Sequence, residues 1–323
     1  MLDGIKSLKT FKFATSDGHT LHVEESGSLS GIPTLFIHGG PGSGIGQNYF
    51  WPFLNGEHRL IAFDQRGCGK SQPFGSLENN TTAKLIEDIE ALREFFNVDK
   101  WLIFGGSWGS TLGLAYAIAH PKRVSGLVLR GIFLGRQQDA NWFTSATQGA
   151  SQVFPEAYSE FVADFTKTNP QPQQDEQSLC RWYLEQLTHN DESVRHRAAS
   201  AWFNWEGSIS TLKQMKMPII DCASNQQVYS LALLECYYVV NGCFMPANHI
   251  LEQAHKIQEI PVYIVHGRYD MVCKCASAVE LHQALPHSHL TIVEDAGHSG
   301  TEKGTSKALV SALKQIRALL KKN

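Results

Sequence analysis

Residues 105–109 read Gly105-Gly106-Ser107-Trp108-Gly109, directly after the apolar run Trp101-Leu-Ile-Phe104. A G-x-S-x-G sequence between a strand and a helix makes a turn so tight that the serine is held in a strained, exposed conformation. Glycines two before and two after the serine keep Cβ atoms out of the close strand–helix approach. Ser107 is therefore the candidate nucleophile of an acyl-transfer reaction. A serine hydroxyl is a poor nucleophile at its own pKa and needs an imidazole to take its proton. That imidazole in turn needs a carboxylate to fix its tautomer and stabilise its charged form. Two later segments supply these groups: His266-Gly-Arg-Tyr-Asp270 and Glu294-Asp-Ala-Gly-His298-Ser. Each follows a short apolar run, which makes Asp270 the candidate acid and His298 the candidate base. Among 14 histidines, His298 is singled out by its Gly-His turn after the last strand-like run. Asp270 has two rivals. Asp295 stands too close to His298 in sequence to approach its ring easily, and Asp139 follows an earlier strand. A fourth segment, His38-Gly39-Gly40-Pro41-Gly42, can turn backbone N–H groups toward a developing oxyanion, with the N–H groups of Gly40 and Trp108 as the expected donors. His38 itself is expected to be structural, Asp64-Gln65-Arg66-Gly67 to brace neighbouring loops, and the Trp108 side chain to wall the pocket.

These loops need a scaffold that brings strand ends together. Residues 11–26 alternate around Asp17-Gly18 and predict an antiparallel hairpin. Strand-like runs follow at 33–37, 59–63, 100–104, 125–130, 261–265 and 289–293, with helical periodicity at 82–96, 111–119 and 307–320. Strands alternating with helices imply a mostly parallel sheet flanked by helices, and in such sheets function gathers at the carboxyl ends of the strands. Between 136 and 250 strand-like runs vanish, and aromatic, Gln and Ala residues at helical spacing take over. The expected organisation is a discontinuous core, 1–135 and 251–323, with a helical cap inserted at 136–250. Asn169 to Glu176 reads as an exposed loop within that cap.

The 323-residue chain exceeds the roughly 250–300 residues at which a single core stops growing. Its 42% apolar and 18% charged content describe an ordinary globular protein, and a net charge of −3 gives no electrostatic case for nucleic acid or an anionic membrane. The first ten residues hold no apolar signal-peptide core, and no run approaches the ~18 apolar residues of a membrane span. The seven cysteines, scattered and without zinc-like spacing, are expected to be free thiols in a reducing cytoplasm. No metal and no cofactor is required by this chemistry. Oligomeric state is left open.

The order Ser107, Asp270, His298 is that of α/β-hydrolases. His-Gly-Gly-Pro-Gly at 38–42, Asp-Gln-Arg-Gly-Cys-Gly-Lys-Ser at 64–71, Gly-Gly-Ser-Trp-Gly-Ser at 105–110 and His-Gly-Arg-Tyr-Asp at 266–270 together resemble the proline iminopeptidases. These are serine exopeptidases of the α/β-hydrolase fold. The resemblance runs from about residue 12 to about residue 300. It implies that small peptides or amides with a free N-terminal proline are the substrates, and that cap glutamates bind the substrate's amino end. Ala198 to Glu206 and Leu234 to Tyr238 match the segments concerned, so Glu206 and Glu235 are the implied amine-binding residues. Carboxylates in a partly dry pocket suit a protonated secondary amine beside the scissile bond, through charge-assisted hydrogen bonds. Two cap segments differ from the family's usual pattern, Cys236-Tyr237-Tyr238 after the second glutamate and Thr144-Ser145 after Trp142-Phe143. The alternatives are an esterase or amidase of the same fold acting on small acyl compounds and, less favoured because all three triad residues are present, a non-catalytic binding protein.

Overall fold

The computed structural model describes residues 9–46, 49–53, 56–169, 177–213 and 225–321. Eight strands form one sheet: β1 Lys9–Ala14, β2 Thr20–Gly27, β3 Ile32–Ile37, β4 His58–Phe63, β5 Trp101–Gly106, β6 Val124–Arg130, β7 Val262–Gly267 and β8 His289–Val293. Their order is β1-β2-β4-β3-β5-β6-β7-β8. β1 pairs antiparallel with β2, and β2 with β4, while every later pairing is parallel. The expected hairpin forms with Phe13 opposite Leu21, and Gly18 supplies the positive φ (94°) at its turn.

Alternation explains how the sheet is covered on both sides. Along β5, Trp101 and Ile103 enter one apolar cluster with α1 (Thr82–Phe95) and α2 (Trp108–Ala119), whereas Leu102 and Phe104 enter another. Leu309, Ala312, Leu313 and Ile316 of α11 (Lys303–Leu320) close that second face. Helix α11 spans Lys303–Leu320, four residues more at its start than the periodicity predicts, and α2 begins at Trp108 rather than 111. The elbow has no linker: its strand runs straight into a helix.

Between β6 and β7 the described residues hold helices and no strand. They are α3 (Gln137–Thr144), α4 (Pro155–Phe161), α5 (Ala163–Thr168), α6 (Ser178–Leu187), α7 (Glu192–Ile209), α8 (Gln226–Val240) and α9 (His249–Glu252), before α10 (Cys275–Ala284) follows β7. A third apolar cluster lies here, with fully buried members from Ala150 to Cys236 that include Phe161, Tyr183, Trp202 and Trp205. Phe161 stacks on both Tyr183 and Trp205, at 5.0 and 5.5 Å between ring centroids. Tyr238 and Ile250 pack instead with the sheet's own core, so the chain rejoins that core near the end of α8. Of the expected exposed loop, residues 170–176 lie outside the described residues, as does Cys222. The six described cysteines are free. Among the described residues no single helix is long and apolar enough to cross a membrane.

Candidate active site

Ser107 sits between β5 and α2 with φ 58° and ψ −129°, a conformation that a non-glycine residue holds only when its surroundings impose it. Packing imposes it here. A Cβ on Gly105 would stand 2.2 Å from the Gly109 carbonyl oxygen, and one on Gly109 would stand 2.2 Å from that of Ile37. Gly106 is constrained too, because a Cβ there would meet the Arg130 guanidinium at 2.5 Å. The Ser107 N–H donates to the Arg130 carbonyl at 2.9 Å.

Asp270 and His298 come from the loops after β7 and β8. His298 Nδ1 lies 2.7 Å from Asp270 Oδ2, and both residues are buried. The other carboxylate oxygen accepts the N–H groups of Val272 (3.0 Å) and Cys273 (2.7 Å). Burial pushes the Asp270 carboxyl up, but the His298 imidazole, the nearby His266 ring and the Cys273 N–H outweigh it and hold the group below its ordinary value. An ionised Asp270 puts the proton on His298 Nδ1 and leaves Nε2 as the basic nitrogen. Asp139 takes no part in this arrangement. It pairs with Arg136 at 2.9 Å and accepts from Ser277 at 3.0 Å. Asp295 is exposed.

In this structure Nε2 of His298 faces Arg130 rather than Ser107. Arg130 Nη1 donates to it at 3.0 Å and to the His298 carbonyl at 2.8 Å. The Ser107 hydroxyl lies beside the Cys273 thiol, and among the described residues it has no hydrogen bond to His298. Such contacts commonly tighten only when substrate is bound.

Gly40 has φ +99° and precedes a cis peptide bond to Pro41. Neighbouring Gly39 packs against the elbow so closely that a Cβ on it would stand 3.3 Å from Ser107 Cβ. Among the described residues neither the Gly40 nor the Trp108 N–H has an acceptor, so both donors are free for an oxyanion. The Trp108 side chain departs from expectation. It does not wall the pocket: it is fully buried, donates from Nε1 to Gln65 Oε1 at 2.8 Å, and packs edge-on against Tyr238 at 4.8 Å. Tyr238 is the ring that reaches the pocket. Indole polarity accounts for the difference, because a buried N–H must find an acceptor and Gln65 provides it inside the core.

The pocket above Ser107 is narrow and mainly apolar, with Gly40, Phe133, Phe143, Trp202, Tyr238 and Cys273 among its walls, and Glu235 enters it as a carboxyl group. Trp202 Nε1 donates to Glu235 Oε2 at 2.5 Å. Burial and the neighbouring Glu206 push Glu235 well above the usual carboxylate range, against the Trp202 hydrogen bond. Burial raises Glu206 to about 7, with Arg130 as the opposing influence. Two deep carboxyl groups with one nearby guanidinium make a site suited to an additional cation. Among the described residues no group of three or more His, Cys, Asp or Glu side chains could hold a metal ion.

The family model described as "alpha/beta hydrolase fold" matches residues 33–305. A probable proline iminopeptidase of Leptolyngbya boryana is 43% identical over 295 residues, 91% of this chain and 89% of that one. The proline iminopeptidases of Arabidopsis thaliana (42% identity, 94% and 79% covered) and Neisseria gonorrhoeae (41%, 93% and 94%) are similar to it over comparable lengths. The chain belongs to the proline iminopeptidase family. Solved structures share the fold at much lower identity. A putative lipase of Acinetobacter baumannii matches with TM-score 0.65 and 18% identity, covering 99% of this chain and 92% of that one. The Rhodococcus esterase RhEst1 matches with 0.61 and 21%, covering 98% and 99%. Of the positions where this chain differs from the usual proline iminopeptidase pattern, Thr144 and Tyr238 line the pocket.

Three residues around the site escape the motif reading. Arg130 ends β6, and its position at a strand's carboxyl end is the signal that would have found it. His266 accepts from the Ile132 N–H at Nδ1 (3.0 Å), so its Nε2 carries the proton and reaches the Cys273 carbonyl at 2.9 Å. Glu302 takes the N–H groups of Gly297 and Leu212 on its two oxygens, at 2.8 and 2.9 Å, and so ties the His298 loop to the segment after α7. Nothing in the sequence marks Glu302.

Proposed function

We propose that the protein is a serine exopeptidase that releases N-terminal proline from small peptides and amides through an acyl-enzyme. The observation that carries this reading is the pocket itself: Ser107 and Glu235 line the same small apolar chamber, and Glu206 lies near enough to raise Glu235. A pyrrolidine ring fits apolar walls, and its secondary ammonium needs the carboxylates.

Substrate enters with its ammonium on Glu206 and Glu235 and its first carbonyl over Ser107. Binding draws His298 Nε2 from Arg130 to the serine hydroxyl. Ser107 Oγ attacks the carbonyl carbon as its proton passes to Nε2, and the oxyanion is held by the N–H groups of Gly40 and Trp108. The tetrahedral intermediate collapses, His298 gives the proton to the departing amine, and the shortened peptide leaves. Water, deprotonated by His298, then attacks the prolyl ester, and proline departs as Ser107 regains its proton. Asp270 stays ionised and orients the ring. Helices α3, α7 and α8 line the chamber and act as its cap, which restricts cleavage to the first residue.

Hydrolysis of a prolyl arylamide, its N-acetyl derivative and an aryl ester tests the reading. The free prolyl arylamide is expected to turn over and the acetylated one to fail. Equal turnover of both would remove Glu206 and Glu235 from substrate recognition, and turnover of the ester alone would make the protein an esterase.

A further inference from the structure

The two oxyanion donors come from different strand ends, Gly40 from the loop after β3 and Trp108 from the first residue of α2 after β5, and a residue from a further loop sets their relation. Gln65 follows β4. Its Oε1 accepts from Trp108 Nε1 at 2.8 Å, its Nε2 donates to the His38 carbonyl at 3.0 Å, and its backbone N–H donates to His38 Nε2 at 3.0 Å. Gln65 and His38 are each 2% exposed and Trp108 is fully buried, so no solvent shares these bonds. Chemistry fixes their direction. An indole N–H can only donate and a carbonyl can only accept, so the Gln65 amide meets both neighbours at once, Oε1 toward the indole and Nε2 toward the carbonyl. His38 is held from its other side, where Nδ1 lies 2.9 Å from the Gly39 carbonyl, which leaves Nε2 as the acceptor that Gln65 requires. Asp64 steadies the same loop by accepting the N–H groups of Ile45 and Lys70, each at 2.8 Å.

We propose that Gln65 is the positioning residue of the oxyanion hole: its side-chain amide clamps Trp108 to the His38–Gly42 loop and sets the separation of the Trp108 and Gly40 N–H groups. Trp108 is at once the donor and the residue gripped through its ring, and Gly40 lies two residues beyond the gripped carbonyl. A shift of either donor opens the hole while Glu206 and Glu235 keep their places on α7 and α8. The inference rests on the serine-hydrolase reading of Ser107.

Gln65→Leu, which keeps the volume and removes the amide, and Trp108→Phe, which breaks the same clamp from the other side, test it. Each is expected to lower kcat on a prolyl arylamide by about 10- to 100-fold with little change in KM. The aldehyde analogue of proline separates positioning from general damage. Ser107 Oγ adds to its aldehyde carbon, the serine proton passes to His298, and the former carbonyl oxygen occupies the hole. Its affinity is expected to fall in parallel with kcat, while the affinity for proline changes less than about threefold. The double variant is expected to lose no more than the worse single one. Should Gln65→Leu fail to fold, Trp108→Phe carries the same test. A folded variant with undiminished aldehyde affinity, or with equal losses for aldehyde and proline, overturns the inference. If the wild type hydrolyses an aryl ester and spares prolyl substrates, the aminopeptidase reading falls. A loss of ester kcat in Gln65→Leu would even then support the clamp.

Discussion

Arg130 donates a 3.0 Å hydrogen bond to Nε2 of His298, the nitrogen proposed to receive the Ser107 proton. The same guanidinium lies over Gly106 and opposes the upward push on Glu206. One cation therefore touches the proposed base and acts on one of the two proposed amine-binding glutamates, and its loss should be felt at each.

Arg130→Met is expected to act in opposite senses on two probes. An uncharged phosphonyl fluoride needs only Ser107 and a free His298, and its reaction should quicken by up to roughly tenfold once the competing hydrogen bond is gone. The prolyl arylamide should suffer, because Glu206 loses its countercharge and titrates above about 7, which raises KM near neutral pH. A slower phosphonyl reaction in a folded Arg130→Met protein would show that Arg130 supports the base rather than restraining it.

Asp270 and Asp139 can be separated directly. Asp270→Asn leaves the shape but can no longer hold the imidazole in its working tautomer, and kcat is expected to fall by about 10⁴. Asp139→Asn breaks the pairing with Arg136 and Lys274, which lie at 2.9 and 3.4 Å, and should lower the melting temperature while kcat stays within about threefold. Measured kcat for the pair decides which carboxylate serves His298.

The parts of this site that sequence disclosed are those fixed by backbone sterics and by chemical type. Gly105 and Gly109 announce the elbow because no other residue fits opposite a carbonyl at 2.2 Å, and Ser107, Asp270 and His298 each stand where a strand ends. Short apolar runs, and alternation in the opening hairpin, locate the strands to within two residues. Contacts between loops distant in sequence were illegible. Gln65 reads as one more residue of a bracing loop until the Trp108 ring is seen resting on it, and the error over that ring has the same origin. Helix starts at Trp108 and Lys303 were missed because the apolar stripe that gives periodicity begins one turn later than the helix itself.

Arg66 links three elements whose motif suggested bracing. Its Nε and Nη2 each donate to Asp88 of α1 at 2.7 Å, and Nη1 donates to Asp17 in the β1–β2 turn at 2.7 Å. Asp88→Ala removes two of the three carboxylate hydrogen bonds of a buried guanidinium and is expected to destabilise the fold by about 3 kcal/mol, with kcat of the folded fraction unchanged. The Arg66 hydrogen bond lowers Asp17 to about 2. A depressed carboxylate contributes stability above its unfolded value and loses it as pH falls toward the folded one. Asp17→Asn should therefore flatten the acid side of the stability profile between about pH 4 and pH 2, and urea titrations across that window check it.

Glu206 offers the opposite sign. Its folded pKa of about 7 lies above the ordinary 4.5, so the native state binds the extra proton and stability declines as pH rises between those values, then levels off. Glu206→Gln removes the penalty. At pH 8 the variant is expected to be more stable than wild type by on the order of 1–3 kcal/mol, and at pH 4 the two should coincide. Activity should move the other way. The substituted amide cannot pair with a secondary ammonium, so KM for a prolyl arylamide should rise at least tenfold at pH 8, while hydrolysis of a neutral aryl ester holds. Below about pH 6 the wild-type carboxyl is itself largely protonated, and the KM difference should shrink. A carboxylate that merely held the fold would show lower stability in the variant at pH 8 and equal losses on both substrates. Chemical denaturation at pH 4 and pH 8, run beside the two kinetic assays, distinguishes a group strained for binding from one that supports the structure.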